Sequence, residues 1–112
     1  MSPLTPESAL KGRSIRGARQ LLSEYSFRVG DLSQFITIRL YRLIGTDTVI
    51  FEQSHFIHTP TQIDAYRTSA PMGNDETEAL GRAVRTLVEH YEEAVRVGHR
   101  PQDSWLEPNP DF

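Results

Sequence analysis

The chain has 112 residues, a formal net charge of −3 and no cysteine, and 38% of its residues are hydrophobic. This length suits one domain over residues 1–112, which buries about 65% of its unfolded surface without disulfides or thiolate metal ligands. The acidic balance gives no general attraction to nucleic acid or anionic lipid, and no apolar run approaches a membrane span. The N-terminal residues show no secretory signal, so a cytoplasmic protein with no membrane attachment is expected.

The first predicted element is a weak helix over residues 6–24, with its firm part at 14–24. Thr5 is a suitable N-cap, and Pro6 suits the first helical position. The apolar residues that follow form an imperfect helical stripe: Leu10, Ile15, Ala18, Leu21, Leu22 and Tyr25. Gly12 and Gly17 each cost about 1 kcal/mol relative to alanine, so the helix is weakened or broken.

Four basic residues lie in this segment: Lys11, Arg13, Arg16 and Arg19. Against Glu7 they give residues 1–20 a charge of +3, so the remaining residues carry −6. A solvated helix face explains this run without any partner, because such faces are common. The alternative is that the basic helix binds nucleic acid.

The central stretch, residues 35–58, predicts an antiparallel hairpin. Two β-rich runs, about 34–44 and 49–58, flank the turn residues Gly45-Thr46-Asp47-Thr48. A short strand at about 25–29, ending at Gly30-Asp31, extends the hairpin to a three-stranded meander.

A register with Ile44 opposite Val49 assigns the side chains of the hairpin to two faces. One face carries Ile36, Ile38, Leu40, Ile44, Val49, Phe51 and Ile57, with Arg42, Gln53 and His55 among them. The other carries Phe35, Tyr41, Leu43, Ile50 and Phe56, interspersed with Thr37, Arg39, Glu52, Ser54 and His58. Because both faces hold large apolar side chains, both need to be covered.

The clearest element is a long helix over about 76–97. Asp75 and Glu78 resemble a capping box, and Gly98 and Pro101 end the helical pattern. Its predicted core stripe is Leu80, Val84, Leu87, Val88, Tyr91 and Val95. The fold class is therefore α+β, with the hairpin or meander packed against this helix.

Two proline-containing segments lack a clear period. The connection from Thr59 to Asn74 is long, and Ile63, Tyr66 and Met72 are expected to dock it onto the core. The tail over 98–112 is expected to be irregular, and its Trp105 either packs back onto the domain or serves as a short linear motif.

His55 and Gln53 fall on the helix-facing side of the hairpin and suggest a pocket. A hydrogen-bonded core histidine is the common interpretation, and a pocket for a small molecule or an enzymatic reaction is the alternative. No acidic side chain on that face orients the ring, and no metal-ligand spacing occurs, so neither a metal nor a cofactor is expected.

The function expected from these features is that of a non-catalytic interaction or regulatory protein. The interaction residues are those on the second face of the hairpin: Phe35, Arg39, Tyr41, Leu43, Ile50, Glu52 and Phe56. A homodimer is expected, because a two-fold axis lets one apolar face cover its own copy, and an unidentified protein partner is also expected.

Overall fold

The structure, a computed structural model, describes residues 5–112. Its helices are α1 (Pro6–Ala9) and α2 (Glu76–Arg96), with a 3₁₀ turn at Asp103–Trp105. Its strands are β1 (Arg19–Phe27), β2 (Ile36–Leu43), β3 (Val49–Gln53), β4 (His55–Ile57), β5 (Met72–Gly73) and β6 (Leu106–Pro108). The antiparallel sheet has the order β1-β2-β3-β5 and packs against α2, which confirms the α+β class.

The N-terminal helix is much shorter than the sequence predicts, so the prediction over 6–24 is wrong beyond Ala9. The Thr5 side chain accepts from Ser8 N and the Ser8 side chain accepts from Thr5 N, which closes one helical turn. Gly17 then has a φ of 64°, a left-handed conformation that a helix cannot contain. Residues 19–27 instead pair with β2 over their whole length, so long-range pairing outweighs a weak local helical preference.

The three-stranded meander is present, with a register shifted by two residues from the predicted one. Arg42, rather than Ile44, lies opposite Val49. The shift makes the turn between β2 and β3 longer than predicted. The Thr46 hydroxyl closes this turn, because it donates to Leu43 O at 3.0 Å and accepts from Thr48 N at 3.2 Å. Because a shift of two preserves which side each residue faces, the predicted division of the faces is unchanged within β2 and β3.

The predicted strand over 49–58 breaks at Ser54 into β3 and β4. Ser54 continues the hairpin, because its N–H donates to Thr37 O at 2.9 Å and its hydroxyl accepts from Thr37 N at 2.8 Å. Beyond it, β4 leaves this sheet and pairs with β6. Because of the two-residue shift in register, Gln53 lies opposite Ile38, where the sequence places His55.

The core lies between α2 and the inner face, which is the side of the sheet turned toward α2. The sheet and β4 contribute its buried apolar residues Ile36, Ile38, Leu40, Val49, Phe51 and Ile57. The helix contributes a different stripe from the predicted one: Ala79, Ala83, Leu87, Tyr91 and Ala94. Of the predicted stripe, Leu87 and Tyr91 are buried, three residues lie half-buried at its sides, and Val95 is 42% exposed.

Close approach of the backbones explains this rotation of the helix. A Cβ on Gly73 of β5 would lie 2.6 Å from Ala79 N, so helix and strand nearly touch there. Only alanine fits between backbones that approach so closely, and the larger valines are displaced to the flanks. One half of the predicted capping box is present, since Asp75 Oδ1 accepts from Glu78 N at 2.8 Å, whereas the Glu78 carboxylate contacts Arg82.

The C-terminal tail, expected to be irregular, contains the 3₁₀ turn and β6. Trp105 is 4% exposed and its ring lies edge-on to Tyr91, with centroids 5.9 Å apart. The Asp103 carboxylate accepts from Ser33 N at 2.8 Å and from the Ser33 hydroxyl, which ties the tail to the β1–β2 connection. Trp105 thus packs back onto the core.

The connection between β4 and β5 is attached mainly through polar groups. Gln62 accepts from Thr59 N at 2.8 Å and donates to Ile57 O at 3.2 Å. The expected apolar docking is wrong for Ile63, which is 94% exposed, whereas Tyr66 and Met72 are about half covered.

The molecule is elongated. Its extents are 65 × 24 × 21 Å and its radius of gyration is 17.1 Å. A compact chain of this length has a radius of gyration of about 13 Å.

Candidate functional site: the outer face of the sheet

The outer face is the side of β1–β3 that points away from α2. Directly paired residues share a face, so the register arranges its side chains in rows across the three strands. One row is apolar: Leu21, Tyr41 and Ile50. The next row is charged: Glu24, Arg39 and Glu52. A third row, beyond it, carries hydroxyls: Ser26, Thr37 and Ser54.

The charges on the outer face are paired within the chain. Arg19, at the start of β1, places its guanidinium 3.9 Å from the centre of the Tyr41 ring and donates to the Glu52 carboxylate. Arg39 Nε donates to Glu24 Oε1 at 3.1 Å, and this hydrogen bond raises the pKa of Arg39. Two cations and two carboxylates leave the face with no net charge.

The apolar row of this face remains accessible. Leu21 is 52% exposed, and Tyr41, Leu43 and Ile50 are half-buried. Phe112 lies over the charged row, with its ring centre 4.1 Å from the Arg39 guanidinium. Among residues 5–112, α2 is the only long helix and it lies on the opposite side, so no helix covers the apolar row.

Five of the seven predicted interaction residues meet on the outer face: Arg39, Tyr41, Leu43, Ile50 and Glu52. Phe35 precedes β2, is 61% exposed and lies beside Arg28, at 5.5 Å. Phe56 belongs to β4, where the Arg67 guanidinium lies 4.2 Å from its ring centre. The bend at Ser54 separates Phe56 from the rest of the predicted set.

Sequence reasoning missed the residues that β1 contributes to this face. Leu21 and Glu24 were assigned to a helix, yet they extend the apolar and charged rows by one strand. A β-bulge between Leu21 and Ser23 keeps Glu24 on the outer side. The alternation of Tyr25 and Phe27 with the polar residues Glu24, Ser26 and Arg28 was the available signal for a strand.

The four basic residues do not form a helical face. Lys11, Arg13 and Arg16 are exposed in the segment between α1 and β1, and Lys11 Nζ lies 3.9 Å from Glu7 Oε1. Arg19 is engaged on the outer face. The helix on which the nucleic-acid interpretation depends is therefore not formed.

His55 and Gln53 occupy different environments. His55 Nδ1 lies 2.8 Å from the Ser54 hydroxyl, and partial burial lowers the pKa of His55. Gln53 is 7% exposed, donates to His55 O at 2.7 Å and lines a cavity of about 280 Å³ with Phe56 and Arg67. His55 does not line this cavity, and within residues 5–112 no carboxylate bonds its ring.

Two further observations concern residues 5–112. No helix there is long and apolar enough to cross a membrane, and no three acidic or histidine side chains cluster as metal ligands would. Comparison with protein families, with curated proteins and with solved structures gives no match. The chemistry that the outer face offers is apolar contact and hydrogen bonding, which is the chemistry of association.

Proposed function

We propose that this chain is a non-catalytic interaction or regulatory protein whose outer face binds a second copy of itself. The observation that carries the proposal is the partly accessible apolar row Leu21–Tyr41–Ile50, in which Leu21 is 52% exposed, on a sheet that packs against α2 through its other side. A row of large apolar side chains on a sheet surface gains free energy when a partner excludes water from it.

The charges of the outer face favour a second copy as the occupant. A face that meets its own copy must not bring an excess of one charge against itself. The outer face satisfies this condition, because Arg19 and Arg39 balance Glu24 and Glu52.

The same charges select the direction of the two-fold axis. An axis along the apolar row leaves β1 facing β1 and sets position 24 of one copy opposite position 19 of the other, because these residues flank Leu21 on the same strand. In such a dimer the Arg19 guanidinium exchanges Tyr41 and Glu52 of its own chain for the partner's Glu24. An axis parallel to the strands instead sets Arg39 against Arg39, which is repulsive. We therefore place the axis along Leu21, Tyr41 and Ile50.

The area of the face predicts a weak dimer. Three strands about 4.8 Å apart and about 26 Å long cover about 400 Å². Stable interfaces bury about 800 Å² per partner, so a face of this size belongs to the class of weak, transient associations. Such a dimer forms and dissociates with concentration, as regulatory associations do.

Sedimentation equilibrium or light scattering over a range of about 1–300 µM tests the proposal. Leu21→Glu places a charge in the apolar row at a half-exposed position, so the fold is retained and dimerisation should be lost. Val97→Glu is the control, because Val97 is similarly exposed at the end of α2. A monomer mass at all concentrations, or equal association of both variants, would contradict the proposal.

Charge exchange tests the axis separately. Glu24→Arg and Arg19→Glu should each weaken the dimer by about tenfold, because each brings like charges together across the axis. The double variant restores opposite charges across the axis but not within the chain, so its loss should be smaller than the sum of the two single losses. Additive losses in the double variant would reject this axis while leaving the dimer in place.

A further inference from the structure

A second feature of the molecule, separate from the outer face, is a cavity of about 280 Å³ between β3, the connection over residues 59–71, and α2. We call it the arginine cavity. Arg82 and Arg85 line it from α2, Tyr66 and Thr68 from the connection, and Phe51 from β3. The Gln53-lined cavity shares Phe51 and Thr68 with it, so the two adjoin.

Hydrogen-bond donors in the arginine cavity are available to a ligand. Arg82 bonds Glu78 at 3.1 Å through one nitrogen, which leaves its other N–H groups free to bind elsewhere. Within residues 5–112, Arg85 has no carboxylate within 4.0 Å. The Thr68 hydroxyl accepts from Ala70 N at 3.1 Å, so its own hydrogen can be donated.

The cavity also has an apolar, planar side. Phe51 is 4% exposed and contributes a buried ring to the wall shared with the neighbouring cavity. The Tyr66 ring is positioned by His90, with ring centroids 5.4 Å apart. Two aromatic side chains beside two guanidinium groups match a ligand that has a flat apolar body and an anionic end.

Glu89 limits the charge that the ligand can carry. It lines the same cavity, four residues after Arg85 on α2. A second negative group near Glu89 would be repelled, whereas a hydroxyl or amine there would be accepted. We propose that the arginine cavity binds a small planar organic molecule with a single anionic group, a carboxylate or a phosphate monoester, held by Arg82 and Arg85.

Titrations with benzoate, phenyl phosphate and benzylamine, followed by amide chemical shifts at low salt, test this site. Saturable binding of either anion, with shifts concentrated at Thr68, Thr86 and the neighbouring amides, is expected. Arg85→Gln should weaken it by about tenfold, whereas Arg96→Gln should not, because Arg96 pairs with Glu93 outside the cavity. The tighter of the two anions identifies the ligand as a carboxylate or a phosphate.

Three results would overturn the site: no saturable binding of either anion, equal binding of benzylamine, or equal losses in the two arginine variants. The titration is repeated with Leu21→Glu, which alters only the outer face. Because the arginine cavity is on the other side of the sheet, its binding should persist in this variant whether or not the protein dimerises.

Discussion

The Tyr91 hydroxyl accepts a hydrogen bond from Asp31 N at 2.9 Å and so joins α2 to the connection between β1 and β2. Tyr91→Phe removes this acceptor and leaves the partly buried Asp31 N–H without its hydrogen-bond partner. We expect the free energy of unfolding to fall by about 1 kcal/mol. Urea denaturation measures it. Tyr25→Phe is the control, since Tyr25 is 45% exposed and should be nearly neutral. Equal effects of the two substitutions would contradict this role for Tyr91.

Gly30 lets the Tyr91 hydroxyl come close to the backbone of the β1–β2 connection, because it has no side chain. A Cβ at this position would lie 2.1 Å from the Tyr91 hydroxyl oxygen, and the φ of Gly30 is 51°. Gly30→Ala must displace the ring and strain the backbone, so it should cost about 3 kcal/mol, more than Tyr91→Phe. Gly81→Ala is the matched control on α2, where no atom lies within 4 Å of the added Cβ. That variant should be neutral or stabilising by about 1 kcal/mol.

Leu87 lies at the centre of the helix stripe and is 0% exposed. Leu87→Ala should lower the free energy of unfolding by about 2–5 kcal/mol, because it removes buried methyl groups and leaves a cavity. Val95→Ala, at a position that is 42% exposed, should change stability by less than about 0.5 kcal/mol. A similar loss in both variants, measured by urea denaturation, would show that the stripe is misplaced.

His58 gives the tail a pH-dependent attachment. Its Nδ1 lies 2.8 Å from Glu107 Oε2, and this hydrogen bond raises the pKa of His58 above 6.5. The stabilisation is therefore fully present below about pH 6.5 and is lost as the pH rises through the raised pKa. His58→Gln should destabilise the protein more at about pH 5.5 than at about pH 8.

The comparison of wild type with His58→Gln also separates the contribution of His58 to the pH dependence of stability from that of His55. Burial lowers the pKa of His55, so protonation of the unfolded chain weakens folding below about pH 6.5, which is the opposite trend. Both proteins retain His55, so its contribution cancels in the difference. A difference that grows toward alkaline pH would reject the His58–Glu107 contact.

Nucleic-acid binding at physiological salt should be weak. Arg19 is already bonded to Glu52, which leaves Lys11, Arg13 and Arg16 as the exposed basic residues of this segment. Affinity for nucleic acid scales with the number of phosphates neutralised, and three cations neutralise few. Mobility shifts on generic DNA and RNA should show no dissociation constant below about 1 µM. A tighter complex that weakens when Arg13 and Arg16 are changed to glutamine would contradict this.

The hairpin and the long helix were predictable because their signals are local. The turn residues 45–48 and the alternation on either side assign the faces of β2 and β3, and a two-residue error in register leaves those faces intact. Asp75 marks the start of α2 directly. Only the end of β1 carries such a local signal, in the alternation around Tyr25 and Phe27, and its first residues are a strand because they pair with β2.

The arginine cavity and the rotation of α2 depend on distances that sequence patterns do not contain. Valine and leucine outrank alanine in any hydrophobic pattern, yet alanine faces the sheet because Gly73 lets the backbones approach. Likewise, Arg85 resembles an ordinary surface residue until Tyr66 and Thr68 of the connection are seen to line a cavity with it. The outer face was partly predictable, since its β2 and β3 residues follow from the hairpin register alone.

The pairing of β4 with β6 has a consequence for the order of folding events. His58 and Glu107 are 49 positions apart, whereas Ser26 and Thr37, which pair across β1 and β2, are 11 apart. Closing the longer loop costs about 1.3 kcal/mol more chain entropy. We therefore expect the meander to form before the tail docks. Detachment of the tail uncovers Trp105, so its fluorescence should report on the docking of the tail.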